Sequence, residues 1–389
     1  MDEKTVYHGR LKKLREKMLS EDMDAIWVLK EENRRYLSGF TGHDGQCDES
    51  AGSLFISYDR QILATDARYI DHARQEVPHF ELECQKKGLL DLLPEIVQGL
   101  GIKRLGFESG RCSYLQIKNA QESLKKAGSL VELVPCSDMV ERLRVIKEPV
   151  ELDLIIRSLA IAEQAFQKII QSLMPGMLEN EVAWHLEKEL RENGAEAMAF
   201  SPIVAAGENS ALPHAIPSRK RIDAGVPILF DFGARYSGYC SDISRTLILG
   251  DPADSIFDEV CRVVSDAQQK AIDSIRPGAS SLAVDAAARN HIEKSRFRGL
   301  FNHGLGHGVG LAVHEKPSIN SIYDVILEPG MVVTVEPGVY MPGWGGVRLE
   351  NMVVVTEDGA EVLNRIPVQP DLGAKVFLHS SCRIRSEGA

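Results

Sequence analysis

Four acidic residues interrupt apolar, strand-like segments in the second half of the chain and restrict how that half folds. A Tyr-Ser-Gly-Tyr turn separates Asp231 from Asp242, and a hairpin centred on that turn places the two carboxylates directly opposite each other on one face. Glu336 and Glu350 lie symmetrically about Gly343, in a Gly/Pro-rich stretch between two more apolar runs. The sequence therefore predicts two hairpins, each with a facing pair of carboxylates.

The four carboxylates predict a cation site. Each one taken alone is most simply a solvated strand residue, but four with apolar neighbours are harder to place at the surface. Burying unpaired carboxylates is costly, so a buried acidic cluster is normally neutralised by metal. Three histidines, His303, His307 and His314, lie between the hairpins in a glycine-rich segment whose backbone can approach its neighbours closely. One of them is expected to complete the site.

The length and the order of predicted elements indicate two domains. The 389 residues exceed what a single hydrophobic core usually serves. Residues 1–140 alternate between strand-like and helical segments, which predicts an α/β domain. Residues 141–389 contain long helices and separate runs of paired strands, which predicts an α+β domain with an antiparallel sheet. Pro149 is expected to open a long helix, because proline favours the first helical turn.

Charge and cysteine usage narrow the partners and the compartment. Lys and Arg number 45 against 56 Asp and Glu, a net charge of −11, which disfavours nucleic acid or an anionic membrane as a partner. The seven cysteines are odd in number and show no C-x-x-C spacing, unlike a secreted disulfide framework. The N-terminal stretch does not resemble a signal peptide, and no apolar run reaches the ~20 residues of a membrane span. A cytoplasmic protein is expected.

Six motifs in the second half, taken in order, resemble those of pita-bread metallopeptidases of the prolidase and aminopeptidase P family. They are Ala-Leu-Pro-His at 211–214, Asp-Phe-Gly at 231–233, Ser-Asp-Ile-Ser-Arg-Thr at 241–246, His-Gly-Leu-Gly-His-Gly-Val-Gly at 303–310, Thr-Val-Glu-Pro-Gly at 334–338 and Gly-Val-Arg-Leu-Glu at 346–350. Phe-Thr-Gly at 40–42 and Asp-Ala-Arg-Tyr at 66–69 are similar to that family's more variable N-terminal domain. The resemblance implies an α/β creatinase/prolidase-type N-terminal domain, an α+β pita-bread catalytic domain and a homodimer.

Carried over residue by residue, the resemblance implies two divalent metal ions per chain with five ligands, namely Asp231, Asp242, His307, Glu336 and Glu350. Asp242 and Glu350 would each bridge both ions. A carboxylate-rich set with one imidazole and no thiolate favours manganese, cobalt, iron or zinc, with manganese expected first. Two such ions can activate a shared water as the nucleophile.

The resemblance also implies roles for residues around the metals. Glu336 would accept a proton from the attacking water and pass it to the leaving nitrogen. His214 and His314 would be catalytic with it, because they would stabilise the tetrahedral intermediate. His303 and Arg348 would contact the substrate, a small peptide with proline in second position whose Xaa-Pro bond is hydrolysed. A salt bridge behind the ligands is the alternative for Arg348.

Other functions of the same fold stay open at this point. Creatinase-like hydrolases act without metal and lack the complete ligand set, and non-catalytic binding proteins carry degraded sites. Dipeptidases that act on Xaa-Pro and aminopeptidases that act on longer peptides share every motif quoted above. Methionine aminopeptidases are disfavoured because they usually lack so large an N-terminal domain. The loop around His43 is a further candidate for setting substrate length.

Overall fold

The structure, a computed structural model, describes residues 3–45, 49–86, 88–366 and 375–376. The chain divides into two compact units, Met1–Arg144 and Val145–Ala389, and the sequence suggests a change of domain after residue 140. No helix in the described ranges is long and apolar enough to cross a membrane.

The first unit is built around one mixed sheet. Its strands are β1 Ala25–Val28, β2 Ser53–Ser57, β3 Gln61–Asp66, β4 Glu81–Gln85, β5 Arg104–Glu108 and β6 Glu132–Cys136, and its helices are α1 Glu3–Ser20, α2 Glu31–Ser38, α3 Ile70–Glu76, α4 Leu89–Leu100, α5 Tyr114–Lys126 and α6 Glu141–Arg144. The strand order is β4-β3-β2-β1-β5-β6, with β1, β5 and β6 mutually parallel. All four residues of β1 are apolar and buried, as expected of a central strand covered on both faces. This is the predicted α/β unit.

The second unit separates long helices from antiparallel strands, which confirms the predicted α+β class. Its helices are α7 Pro149–Ser172, α8 Glu179–Glu192, α9 Ile256–Ser274 and α10 Ser281–Glu293. Its strands are β7 Ala197–Met198, β8 Ile203–Ala206, β9 Ile228–Phe232, β10 Ala234–Tyr236, β11 Tyr239–Cys240, β12 Ile243–Leu249, β13 Gly306–Gly308, β14 Glu315–Ile319, β15 Val332–Val335, β16 Gly338–Met341, β17 Gly345–Arg348, β18 Asn351–Val355, β19 Ala360–Val362 and β20 Lys375–Val376. The larger sheets run β20-β12-β9-β8 and β14-β13-β15-β18-β19.

Helix α7 supports the strand that carries Asp231. Pro149 is its first residue, as the sequence predicts, because a residue without an N–H loses nothing in the first turn. One buried face of the helix includes Phe166, whose ring packs against Phe230 and Phe232 with ring centroids 5.3 and 5.1 Å apart. These two aromatic rings of β9 flank Asp231 and point to the opposite face, so their packing directs the carboxylate the other way.

Helix α9 supports the other acidic pair. Its residues Phe257, Val260, Cys261 and Val264 are buried at the three- and four-residue spacing of a helix face and belong to the main apolar core of this unit. On the same helix, the buried amide of Gln268 donates to the carbonyl oxygens at the ends of two strand segments, Val335 at 2.8 Å and Leu349 at 2.9 Å. Those two carbonyls directly precede Glu336 and Glu350 in the chain, so α9 fixes the backbone beside both carboxylates.

Candidate metal centre

The first acidic hairpin forms, but its register differs from the predicted one by two residues. Asp231 in β9 pairs with Ser244 in β12 rather than with Asp242. The reason is the turn: Ser237 and Gly238 both have positive φ, at 48° and 82°, and form the two-residue hairpin turn that matches strand twist. Because side chains alternate, a displacement of two residues leaves Asp242 on the same face as Asp231. The pair is therefore diagonal and still close.

The second acidic hairpin has the predicted symmetry. On one side of the pair, Val335 faces Asn351 across β15 and β18, and on the other side Gly338 faces Arg348 across β16 and β17. Both registers are centred on Gly343, so Glu336 and Glu350 occupy equivalent positions between the two strand pairs. The facing arrangement expected from the sequence is confirmed.

The two hairpins bring the predicted ligands into one cluster. Ligand atoms of Asp231, Asp242 and Glu350 all lie within 4.8 Å of one another, and so do those of His307, Glu336 and Glu350. The Nε2 atom of His307 is 3.5 Å from Asp242 Oδ2 and 3.4 Å from Glu336 Oε1. Glu350 belongs to both groups of three. The two groups therefore overlap in one carboxylate.

The electrostatics of the cluster fit a multivalent cation. Burial raises the pKa of Asp242 well above its usual range, and the negative charges of Glu350 and Asp231 raise it further. Burial raises the pKa of Glu350 in the same way, reinforced by Glu336 and Asp231. The Oδ1 atom of Asp231 and the Oε1 atom of Glu350 are buried, and no residue that the structure describes forms a hydrogen bond with either of them. Oxygen atoms that repel each other and lack donors are the ligands that hard divalent cations bind.

Glycines let the backbone of β13 approach close enough to deliver His307. A Cβ at Gly306 would collide with the carbonyl oxygen of Thr334 in the neighbouring strand, and one at Gly308 would collide with that of Lys316. The hydroxyl of Thr334 accepts a hydrogen bond from His307 N at 3.1 Å and donates to Glu336 Oε1 at 3.3 Å. One threonine thus positions two of the clustered side chains.

Arg348 lies behind the acidic cluster and is almost fully buried, at 3% exposure. Its Nη2 donates to Asp231 Oδ2 at 2.6 Å, and its Nε donates to the hydroxyl of Ser244 at 2.8 Å. Ser244 in turn donates to Glu350 Oε2 at 2.9 Å. Arg348 therefore orients one carboxylate directly and a second one through a serine.

Tyr340 links Arg348 to His303. The tyrosine hydroxyl accepts a hydrogen bond from Arg348 Nη1 at 2.8 Å and lies 2.8 Å from His303 Nε2. The Nδ1 atom of His303 lies 2.7 Å from the carbonyl oxygen of Gly304, which can only accept, so Nδ1 carries the proton. Burial lowers the pKa of His303, which favours the neutral ring, whose Nε2 can accept the hydrogen bond from the Tyr340 hydroxyl.

A cavity of about 520 Å³ opens onto the cluster. Eight of the nine predicted site residues line it, namely His214, Asp231, Asp242, His303, His307, His314, Glu336 and Arg348. Glu350, which is 1% exposed, lies in the cluster but not on the cavity wall. Apolar residues form the remainder of the wall, chiefly Phe200, Pro202, Ile203, Pro213, Ile216 and Pro217. The cavity thus has a charged, polar wall formed by the predicted site residues and an apolar wall beside it.

Tyr340 and Ser244 belong to the site but were not predicted from the sequence. Both were detectable from alternation along the strands: Tyr340 lies four residues after Glu336, and Ser244 lies two residues after Asp242, so each shares a face with a predicted ligand. His43 belongs to the first unit, where its Nδ1 lies 2.9 Å from Glu31 Oε1. Its predicted part in substrate length is not decided by that contact.

Comparison with known proteins identifies the family. Residues 153–357 match metallopeptidase family M24, and residues 10–146 match the creatinase/prolidase N-terminal domain. The chain is 40% identical over 358 residues to the uncharacterized peptidase YqhT of Bacillus subtilis, covering 92% of this chain and 98% of that one.

Solved structures agree in fold over nearly the whole chain. The Xaa-Pro dipeptidase from Bacillus anthracis matches with a TM-score of 0.88 and 36% identity, covering 95% of this chain and 100% of that one. The X-Pro aminopeptidase from Thermotoga maritima matches with a TM-score of 0.83 and 34% identity, covering 93% and 100%. The predicted pairing of a creatinase/prolidase-type α/β domain with a pita-bread catalytic domain is confirmed. The chain belongs to metallopeptidase family M24 and is a divalent-metal-dependent hydrolase of peptides.

Proposed function

We propose that the chain is a dinuclear metallopeptidase that hydrolyses Xaa-Pro bonds, either at the N-terminus of peptides or in dipeptides. The observation that carries the proposal is the buried cluster of four carboxylates and one histidine, in which two oxygens receive no hydrogen bond from the described part of the chain. The names of the two solved relatives, a dipeptidase and an aminopeptidase that both act before proline, support the substrate class. The complete ligand set favours this function over a metal-independent hydrolase or a non-catalytic binding protein.

The proposed ligand set divides between two ions. Asp231, Asp242 and Glu350 supply one group of converging oxygens, and His307, Glu336 and Glu350 supply the other. Glu350 is common to both groups, and Asp242 groups with Asp231 and separately with His307, so these two residues would be the ones shared between the ions. Two divalent ions held here would supply Lewis-acid activation of water and would offset the negative charge that develops on the carbonyl oxygen. Manganese remains the expected metal, with cobalt, zinc or iron as alternatives.

Glu336 is the proposed proton acceptor. Burial acts to raise the pKa of this carboxyl, but the hydrogen bond with His307 and the positive charges of His307 and Arg348 outweigh it, so its pKa lies below the usual range. An ionised carboxylate on the cavity wall can take a proton from the attacking water and deliver it to the leaving nitrogen. Delivery matters for an Xaa-Pro bond, because its nitrogen belongs to a tertiary amide and leaves as a secondary amine.

Two histidines of the cavity wall are the proposed contacts for the scissile carbonyl and the substrate backbone. His214 and His314 line the cavity and can donate hydrogen bonds to a developing oxyanion. His303 also lines it and is proposed to contact the proline side of the substrate. Arg348 reaches the cavity wall, but its hydrogen bonds to Asp231, Ser244 and Tyr340 also support its alternative role as an ion pair behind the metal ligands.

A comparison of three substrates tests this function. The purified chain, stripped of metal and reloaded with Mn²⁺, should release proline from Ala-Pro or the first residue from Arg-Pro-Pro, and should leave Met-Ala-Ala intact. The ratio of the first two rates distinguishes a dipeptidase from an aminopeptidase. His307→Ala should abolish turnover, whereas the exposed control Glu361→Gln should not. Failure to cleave either proline peptide after metal loading would overturn the assignment.

The oligomeric state and the location of the protein remain predictions. A homodimer and a cytoplasmic location are both expected, and a small peptide is the expected partner. Light scattering on the purified chain tests the first expectation, and fractionation of cells that express the chain tests the second.

A further inference from the structure

The position of the His314 side chain depends on the conformation of the loop that carries it. Within the described ranges its imidazole makes no hydrogen bond, and its packing contact is the ring of His307, at 4.2 Å between centroids. The side chain is nevertheless close to the cluster, since it groups with Asp242 and His307 within 4.8 Å. Because no polar partner orients the ring, the conformation of the loop that carries it decides where it points.

That loop, residues 310–315, folds around the carboxylate of Glu315. The amide of Ala312 donates to Glu315 Oε2 at 3.4 Å, and the backbone of Gly310 lies so close that a Cβ there would collide with the same carboxylate. At the start of the loop, Cys240 N donates to the carbonyl oxygen of Gly310 at 2.7 Å. The loop is therefore anchored at one end to β11 and at the other end to an internal carboxylate.

Lys147 completes the anchor of Glu315. Its Nζ lies 2.5 Å from Glu315 Oε1, with side chains only 1% and 7% exposed. The backbone of Lys147 is itself fixed, because its amide donates to the carbonyl oxygen of Gly330 at 2.8 Å and the amide of Gly330 donates to Val355 O at 2.9 Å. Gly330 leads into β15 and Val355 ends β18, the strands that flank Glu336 and Glu350. The ion pair thus connects the 310–315 loop to the strands on either side of the acidic cluster.

We propose that Lys147 and Glu315 are positioning residues that hold the 310–315 loop so that His314 faces the metal cluster. The proposal rests on the proposed function in one respect, namely that His314 takes part in turnover. Removing only one partner would leave an unpaired buried charge and destabilise the fold. Neutralising both partners removes the ion pair without leaving an unpaired buried charge. The double variant therefore tests the effect on the loop apart from an effect on the stability of the fold.

The test compares Lys147→Met/Glu315→Gln with the parent chain, each with and without His314→Ala. The double variant should keep its melting temperature and its content of bound Mn²⁺, because the five proposed metal ligands are untouched. Its kcat should fall by about tenfold to a hundredfold, the loss expected when a catalytic group is misplaced by about 1 Å. On the His314→Ala background the same two changes should alter kcat by less than about twofold, because the group they position is already gone.

A matched control and a second measurement make the outcome decisive. Lys168→Met/Glu189→Gln removes another Lys–Glu pair, 2.9 Å apart and partly exposed, and should leave kcat unchanged on both backgrounds. Hydrogen exchange of the amides of residues 310–315 should quicken in the Lys147/Glu315 variant and not in the control. An equal loss of kcat with and without His314, or unchanged exchange in the loop, would overturn the proposal. If the parent chain cleaves no Xaa-Pro peptide, the proposed function fails, and the exchange measurement still decides whether the pair holds the loop.

Discussion

Replacing Glu350 by glutamine should stabilise the metal-free protein while removing most of the stabilisation that metal provides. In the absence of metal, Glu350 lies within 4.8 Å of ligand oxygens from Asp231, Asp242 and Glu336. The change keeps the shape of the side chain and its hydrogen bond from Ser244, but it deletes one negative charge from the cluster. It also removes an oxygen that belongs to both groups of proposed ligands.

The expected gain in stability follows from the distance between the carboxylates and from their burial. Two unit charges 4.8 Å apart repel by about 3.5 kcal/mol at an effective dielectric constant of about 20. Arg348 offsets part of this repulsion, so we expect the variant to gain about 2 kcal/mol, or about 4–8 °C in melting temperature.

The stability that the Glu350→Gln variant gains should depend on pH. The folded pKa of Glu350 lies well above its unfolded value, so the folded state binds the proton more tightly and the cost of the carboxylate grows as pH rises through the folded pKa. The gain in the variant should therefore be larger at pH 8 than at pH 5.

Thermal unfolding with and without Mn²⁺ is the assay. For the parent chain, metal at a hundred times its dissociation constant should add about 2.7 kcal/mol, and the variant should show a much smaller rise. The exposed Glu361→Gln change is the matched control and should alter neither quantity. A variant that melts below the parent without metal, or that gains as much from metal, would refute the reasoning that this cluster is an uncompensated cation site.

Two further outcomes are expected. Tyr340→Phe deletes the hydroxyl that Arg348 and His303 share. Arg348 Nη1 keeps its hydrogen bond to the carbonyl oxygen of Pro213, but His303 Nε2 loses its partner, so the free energy of unfolding in urea titrations should fall by about 1–3 kcal/mol. The exposed Tyr323→Phe should have no such effect, and an equal effect of both changes would contradict the assignment. The thiol of Cys136 should resist iodoacetamide at pH 8 in the folded protein and react after denaturation, because burial raises its pKa to about 11. Rapid alkylation of Cys136 in the native chain would argue against this burial.

Much of the site could be predicted because strand geometry is local. Alternation along a strand decides which side chains share a face, so Glu336 and Glu350 were correctly placed from their symmetry about Gly343. The face shared by Asp231 and Asp242 was also correct, since the register differed by an even number of residues. The exact partner was wrong because the predicted pairing placed the centre of the hairpin one residue too early. A hairpin centred between Ser237 and Gly238 pairs Asp231 with Ser244.

The sequence by itself determined the two-part organisation, the faces of the acidic strands and the residues with ligand chemistry, because each of these follows from patterns a few residues long. Only the tertiary structure decided which distant residues support them. Lys147 and Glu315 are separated by 168 positions and meet at 2.5 Å, and Tyr340 joins Arg348 to His303. Such contacts depend on how helices and sheets pack, and no short sequence pattern encodes the resulting distances.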